Sequence, residues 1–212
     1  MQNKQEMMWD SSFGRDYTNR NMRTPEEYDE FYMELYGVTR TKLNNEFIGS
    51  MDRNMRILEV GANIGNQLIL LHKIGFKNLY GVELQYYPVK ASKAYEYNIT
   101  MLQASSSYLP FKDRTFDLVF TAGVLIHIAP ELLKKIMKEI CRCARHYIWG
   151  FEYYNLGFRE INYRENNELL WEGNYSHEYL KHCPDLQIVK ENKYKYLNSN
   201  SKNAMFLLSK RA

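Results

Sequence analysis

The spacing of apolar positions changes near residue 56. Before it the chain is polar and helix-like. Thr24-Pro25-Glu26-Glu27 predicts a helix start, with a capping threonine, a proline in the first turn and acids at the positive end of the helix dipole, and Phe31, Leu35 and Val38 mark an apolar stripe behind it. After residue 56, short apolar runs alternate with helix-length segments, which is the pattern of βαβ units in a parallel sheet. Strands are predicted at Ile57 to Val60, Asn78 to Val82, Met101 to Ala104, Phe116 to Thr121 and Tyr147 to Phe151. Two longer strands, Leu186 to Leu197 and Ala204 to Ser209, flank the turn-rich Asn198-Ser199-Asn200-Ser201 and predict a closing hairpin. The expectation is an α/β domain over 51–212 with seven strands, mostly parallel with the last antiparallel, preceded by a helical arm or lid over 1–50.

Composition narrows the class of function. A length of 212 residues with 45% hydrophobic and 25% charged residues suits one globular core. A formal charge of +3 is too small a bias to argue for nucleic acid or an anionic membrane, and no run reaches the ~18–20 apolar residues of a spanning helix. Met1 to Gln5 lacks the apolar centre of a signal peptide, so a cytoplasmic location is expected. Cys141, Cys143 and Cys183 make a poor zinc set and are expected to be reduced thiols, and the five histidines are scattered, so no metal is expected. The 18 tyrosines supply either core or pocket walls.

The chemistry concentrates where the first strand ends. Arg56-Ile57-Leu58-Glu59-Val60-Gly61-Ala62-Asn63-Ile64-Gly65-Asn66 runs from an apolar strand through a glycine turn into the apolar helix Gln67 to Ile74. Glycines let backbone approach a ligand closely, and ligands of parallel sheets sit beyond the carboxyl ends of the strands. Two glycines alone would equally close a tight turn. Glu83, directly after the second strand, stands where an acid meets ribose hydroxyls. Gln67, Leu68 and Ile69 replace the third glycine of a pyrophosphate fingerprint, which favours a phosphate-free nucleoside such as S-adenosylmethionine. Glu59 would crowd a pyrophosphate but suits an ammonium.

Ile57 to Asn66, Glu83 and Leu118 to Ile128 together resemble motifs I, II and IV of the class I S-adenosylmethionine-dependent methyltransferases, over most of the chain. The resemblance implies a Rossmann-like fold, S-adenosylmethionine as cofactor with S-adenosylhomocysteine as product, and no metal. It further implies that Gly61, Asn63 and Gly65 flank the methionine part, that Glu83 binds ribose and that Ser105-Ser106 lies beside adenine. Ala62, Leu84, Thr121 and Gly123 fall in the same cofactor set, with Glu59. Many such enzymes carry aspartate where Ser105 stands, and a serine hydroxyl there still donates or accepts a hydrogen bond. Three further segments resemble the methylases associated with pseudaminic acid biosynthesis: Trp9 to Asn21, Gly123-Val124-Leu125-Ile126-His127-Ile128 and Glu152-Tyr153-Tyr154-Asn155. That narrower likeness implies a small-molecule enzyme linked to surface-sugar pathways.

On the acceptor side, His127 after the fourth strand and Glu152 after the fifth are candidate bases, with Tyr154 beside them, because both turns lie on the ligand-bearing edge of the sheet. Each has a structural alternative: His127 as a turn residue, Glu152 as a salt-bridge or capping group. Tyr17, Arg20, Tyr153, Asn155, Tyr163 and Arg164 are candidate acceptor-binding residues, the guanidinium groups pointing to an anionic acceptor. The expected activity is O-methylation of a small polar metabolite, an acidic sugar or related acid. Nucleic-acid methylation is disfavoured by the modest charge and the lack of an Asn/Asp-Pro-Pro-Tyr run; a non-catalytic adenosyl-binding protein is the other alternative. Nothing in the pattern fixes an oligomeric state.

Overall fold

A computed structural model describes residues 3–211, so the first two residues of the arm and the last of the domain lie outside the described residues. The arm holds four helices, α1 (Lys4–Trp9), α2 (Ser12–Arg20), α3 (Pro25–Tyr36) and α4 (Arg40–Ile48). The domain then alternates β1 (Arg56–Val60), α5 (Asn66–Lys73), β2 (Asn78–Glu83), α6 (Tyr86–Ala91), β3 (Thr100–Gln103), β4 (Phe116–Ala122), α7 (Pro130–Cys143) and β5 (Ala144–Tyr153). A short ribbon of β6 (Arg159–Glu160) and β7 (Trp171–Glu172) follows, then α8 (Tyr175–His182), β8 (Leu186–Lys195) and β9 (Lys202–Lys210).

The seven long strands form one sheet in the order β3-β2-β1-β4-β5-β9-β8. β1 to β5 pair in parallel, and β9 runs against both β5 and β8, so the last strand alone is reversed. The seven strands and the hairpin are those the hydrophobic pattern predicts. The β6–β7 ribbon is additional; two residues per strand are too few to show alternation.

Period-two alternation sorts the side chains between two faces. Leu58, Val60 and Val119 pack against α7 and α8, while Ile57, Leu118 and Phe120 pack against α4 and α5. Each fully buried aliphatic side chain contributes roughly 1.5–3 kcal/mol. α3 starts where predicted: the Thr24 hydroxyl accepts the Glu27 N–H at 3.2 Å and the Glu27 carboxylate accepts the Thr24 N–H at 2.7 Å. Its packing differs from the predicted stripe. Tyr32, stacked between Tyr28 and Tyr36 with ring separations of 5.2 and 5.4 Å, is the buried position, whereas Phe31, Leu35 and Val38 are half-buried. A cysteine expectation also changes. Cys141 on α7 and Cys183 after α8 are bonded across 42 residues, and only Cys143 is a free, buried thiol. Among the described residues no helix is long and apolar enough to cross a membrane.

β1 pairs with β2 on one side and β4 on the other, so the chain reverses its direction of winding at β1 and leaves a crevice beyond the carboxyl ends of these strands. Farther along the sheet, Gly150 in β5 makes room for the neighbouring strand: an added Cβ would stand 2.2 Å from the Phe206 ring of β9. Gly150→Ala is expected to destabilise the protein by about 1–3 kcal/mol in denaturant unfolding, and Phe206→Leu in the same chain is expected to restore part of that loss.

Candidate active site

The turn after β1 is held in an unusual backbone conformation. Gly61, Asn63 and Gly65 all have positive φ, at 74°, 48° and 83°. A Cβ on Gly61 would stand 2.6 Å from Val124, so this turn packs directly on the turn after β4. Asn63 donates its N–H to Glu83 Oε2 at 2.9 Å, and Glu83 Oε1 accepts the N–H groups of Leu84 and Gln85 at 2.7 and 3.2 Å. Burial nevertheless leaves the Glu83 carboxyl above its usual range. By lone-pair count Oε2 keeps capacity for a ligand hydroxyl.

A cavity runs along the carboxyl ends of β1, β2, β3 and β4, from Gly61 past Glu83 to Ala104 and Ala122. Of the sequence-predicted cofactor residues, Glu59, Gly61, Ala62, Asn63, Glu83, Leu84, Ser105, Ser106 and Gly123 line it. Gly65 and Thr121 do not: Gly65 is the N-cap that turns the chain into α5, and Thr121 is buried beneath the floor. Glu59 is 2% exposed and its Oε2 has no hydrogen-bond partner; burial pushes its carboxyl well above the usual range, with Arg40 of α4 opposing through space. Asn63 Oδ1 and Gln67 Oε1 are likewise buried acceptors without partners, on residues that line the same cavity.

His127 ends the single helical turn Leu125–His127 and also lines the cavity. Its Nδ1 lies 2.7 Å from the Leu169 carbonyl. A carbonyl only accepts, so Nδ1 carries the hydrogen and Nε2 presents a lone pair. Burial outweighs that bond and pushes the imidazole down to about 4. Trp9 and Tyr163 flank the ring at 4.5 and 5.4 Å, and Tyr17 packs on Trp9 at 5.2 Å.

Glu152 and Tyr154 do not join His127 at the cavity. Glu152 is fully buried behind the turn, where its two oxygens face the N–H groups of Val124 and Ile126 at 3.3 and 3.4 Å; burial pushes it up to about 7. It fastens the turn that carries His127, the capping role named as its alternative. Tyr154 lies under Lys193 on the β8–β9 hairpin, Tyr153 packs on Tyr196, and Asn155 bonds the Gly157 carbonyl. Among the acceptor candidates Tyr17 lines the cavity and Tyr163 reaches it only through His127, while Arg20 and Arg164 are exposed and outside it.

The arm supplies cavity residues that the sequence pattern did not single out. Glu6 and Trp9 from α1, with Asn21 and Tyr28, line it together with Gln67 and Gln85 of the domain. Gln85 donates to the Ser11 carbonyl at 2.8 Å and Tyr87 to Asn19 at 2.7 Å, which docks α2 over the turn after β2. The Trp9 to Asn21 run held the only signal for this, and Glu6 held none, being one acid in a polar helix. Among the described residues no group of three or more His, Cys, Asp or Glu is gathered to hold a metal ion.

A buried neutral histidine has a definite acid signature. Its folded value of about 4 lies below the ordinary 6.5, so the unfolded chain binds more protons between them and stability rises with pH across that window. NMR titration is expected to show His127 neutral at pH 5, and His127→Asn to remove up to about 3 kcal/mol of the stability lost between pH 7 and pH 3.

Comparison with known proteins agrees with this geometry. Residues 58–147 match the family model described as a methyltransferase domain. No curated protein matches the chain. Among solved structures it is similar to the 1,6-didemethyltoxoflavin-N1-methyltransferase of Burkholderia thailandensis, solved with its substrate and S-adenosylhomocysteine (TM-score 0.70, 15% identity, 93% of this chain and 87% of that one). It is also similar to the PH0226 protein of Pyrococcus horikoshii (TM-score 0.62, 16% identity, 88% and 99%) and to the cyclase SpnF (TM-score 0.65, 13% identity, 81% and 80%). With the strand order, the turn after β1 and the matched domain taken together, the chain carries a class I S-adenosylmethionine-dependent methyltransferase fold.

Proposed function

We propose that the protein transfers the methyl group of S-adenosylmethionine to a small, uncharged acceptor. The observation that carries this reading is the chemistry of the cavity wall: Glu6, Glu59 and Glu83 line it, and no lysine or arginine is among its described lining residues. A dinucleotide would set two phosphates against those acids, whereas a sulfonium and an ammonium meet them favourably. The unpartnered acceptors on Glu59, Asn63 and Gln67 each cost about 1–3 kcal/mol if a ligand leaves them unmatched, and an ammonium donates three hydrogens.

S-adenosylmethionine supplies an electrophilic methyl group on a positively charged sulfur. The chain's residues do the rest by binding, alignment and exclusion of water. Glu83 takes a ribose hydroxyl, and Glu59, Asn63 and Gln67 take the ammonium. Nε2 of His127 accepts the proton of an acceptor hydroxyl or amine, with Leu169 fixing the tautomer and Glu152 positioning the turn. Trp9, Tyr17 and Tyr163 wall the imidazole, and α1 and α2 serve as the lid. The sequence leads to the expectation of an acidic sugar or related acid, and the uncharged acceptor proposed here departs from that expectation. An acidic one would need Arg20 or Arg164, both of which stand outside the cavity.

Calorimetry tests the cofactor directly. S-adenosylmethionine and S-adenosylhomocysteine are expected to bind and NAD not to, with Glu83→Ala weakening both adenosyl ligands by about 10- to 100-fold; preference for NAD would overturn the reading. Turnover over a panel of neutral acceptors then tests the base. For a hydroxyl acceptor His127→Ala is expected to lower kcat by roughly 10²–10⁴, and an unchanged rate would remove His127 from that role.

A further inference from the structure

The end of the cavity at β3 is an apolar slot with one polar edge. Leu84, Ala104, Leu132 and Ile136 are its apolar lining, Ser105, Ser107 and Glu6 make up one bonded polar edge, and Ser106 also lines the cavity. Glu6 comes from the other end of the sequence. Its Oε1 accepts the hydroxyls of Ser105 and of Ser107, the latter at 3.0 Å, while Oε2 accepts the Asn3 N–H at 3.0 Å in the capping box of α1. Burial pulls this carboxyl up, but the bonds from Ser105, Asn3 and Ser107 outweigh it and hold the group below its usual value, ionised at neutral pH.

Donor counting then decides what the edge offers. An ionised carboxylate has about four acceptor positions and no hydrogen to give. Three are filled, and one on Oε2 is left. The Ser105 hydroxyl has spent its only hydrogen on Glu6, and its oxygen already accepts the Ser107 N–H at 3.0 Å, so it too offers a ligand only a lone pair. Without Glu6 that hydroxyl would be free to rotate and donate.

We propose that Glu6 makes the polar edge of this slot acceptor-only and thereby selects a purine carrying an exocyclic amine over the same purine carrying an oxo group. The inference rests on the adenosyl reading given above and assigns part of nucleobase recognition to the arm. An amine donates to the free position on Oε2 or to Ser105. An oxo group at the same place meets only lone pairs.

The test is calorimetry on the full chain with S-adenosylhomocysteine and its 6-oxo counterpart, S-inosylhomocysteine. The unaltered protein is expected to prefer the amine by about ten-fold or more, the scale of one hydrogen bond to a charged group. Glu6→Gln keeps an oxygen for the serines and adds a donor, so the ratio should fall towards one with the oxo ligand gaining. Glu6→Ala removes the amine's acceptor and frees the Ser105 hydroxyl to donate, so the ratio should also fall, with the amine ligand losing affinity and the oxo ligand gaining. Lys4→Ala breaks the exposed pair between Lys4 and Glu168 and loosens the arm without touching the slot; it should keep the ratio even where both affinities drop. An unchanged ratio in both Glu6 variants, or a ratio that collapses equally in Lys4→Ala, overturns the proposal while leaving the adenosyl reading intact. Failure of the unaltered protein to bind either ligand overturns both.

Discussion

Glu83 ties two turns together with one carboxylate: the Asn63 N–H after β1 on one oxygen, the Leu84 and Gln85 N–H groups after β2 on the other. Asn63 must hold a positive φ to reach it, and the glycines on either side share that conformation. The path of the chain at the crevice and the approach of the turns after β1 and β2 follow from this junction. It is also costly, because burial opposes the ionised form even with three donors in place. The protein concentrates negative charge where it has removed water, and a ligand bearing positive charge recovers part of that cost.

A second buried carboxylate, three strands away in the sheet, makes a different set of contacts. Glu152 faces no cavity; it holds the backbone of the turn after β4, and that turn aims His127. The β6–β7 region meets the same imidazole from the far side through the Leu169 carbonyl. Two otherwise unrelated segments thus fix the orientation and tautomer of one ring, the arrangement by which a side chain is kept ready without moving. That SpnF, a cyclase, shares this fold shows that the sheet alone does not choose the chemistry.

Sequence pattern made the sheet legible because its inner strands β1, β4 and β9 are largely buried and so appear as apolar runs. The turn after β1 was legible for a related reason: Gly61 and Gly65, with positive φ, and Glu83, bonded to Asn63, carry information in residue type and spacing. Glu152 lies behind the turn after β4 and outside the cavity lining, a placement the pattern does not reveal, because a strand end locates a residue on an edge without saying on which side of the following turn its carboxylate lies. Glu6 was invisible because its meaning depends on a contact with Ser105 across 99 residues. The tyrosine face of α3 was missed since the hydroxyls hide an aromatic stripe from any reading that weighs tyrosine as half-polar. The Cys141–Cys183 bond escaped for the same long-range reason.

Within the arm, α1 and α2 lie against the cavity through hydrogen bonds at Gln85 and Tyr87 and the ring contacts of Trp9, whereas α3 and α4 belong to the core packed on the sheet. Release of α1 and α2 alone leaves that core in place and so costs less than global unfolding. On the lid reading proposed above, ligand residence time would follow how often α1 and α2 lift, and the chemical barrier would set the rate only while it remains slower than that clock.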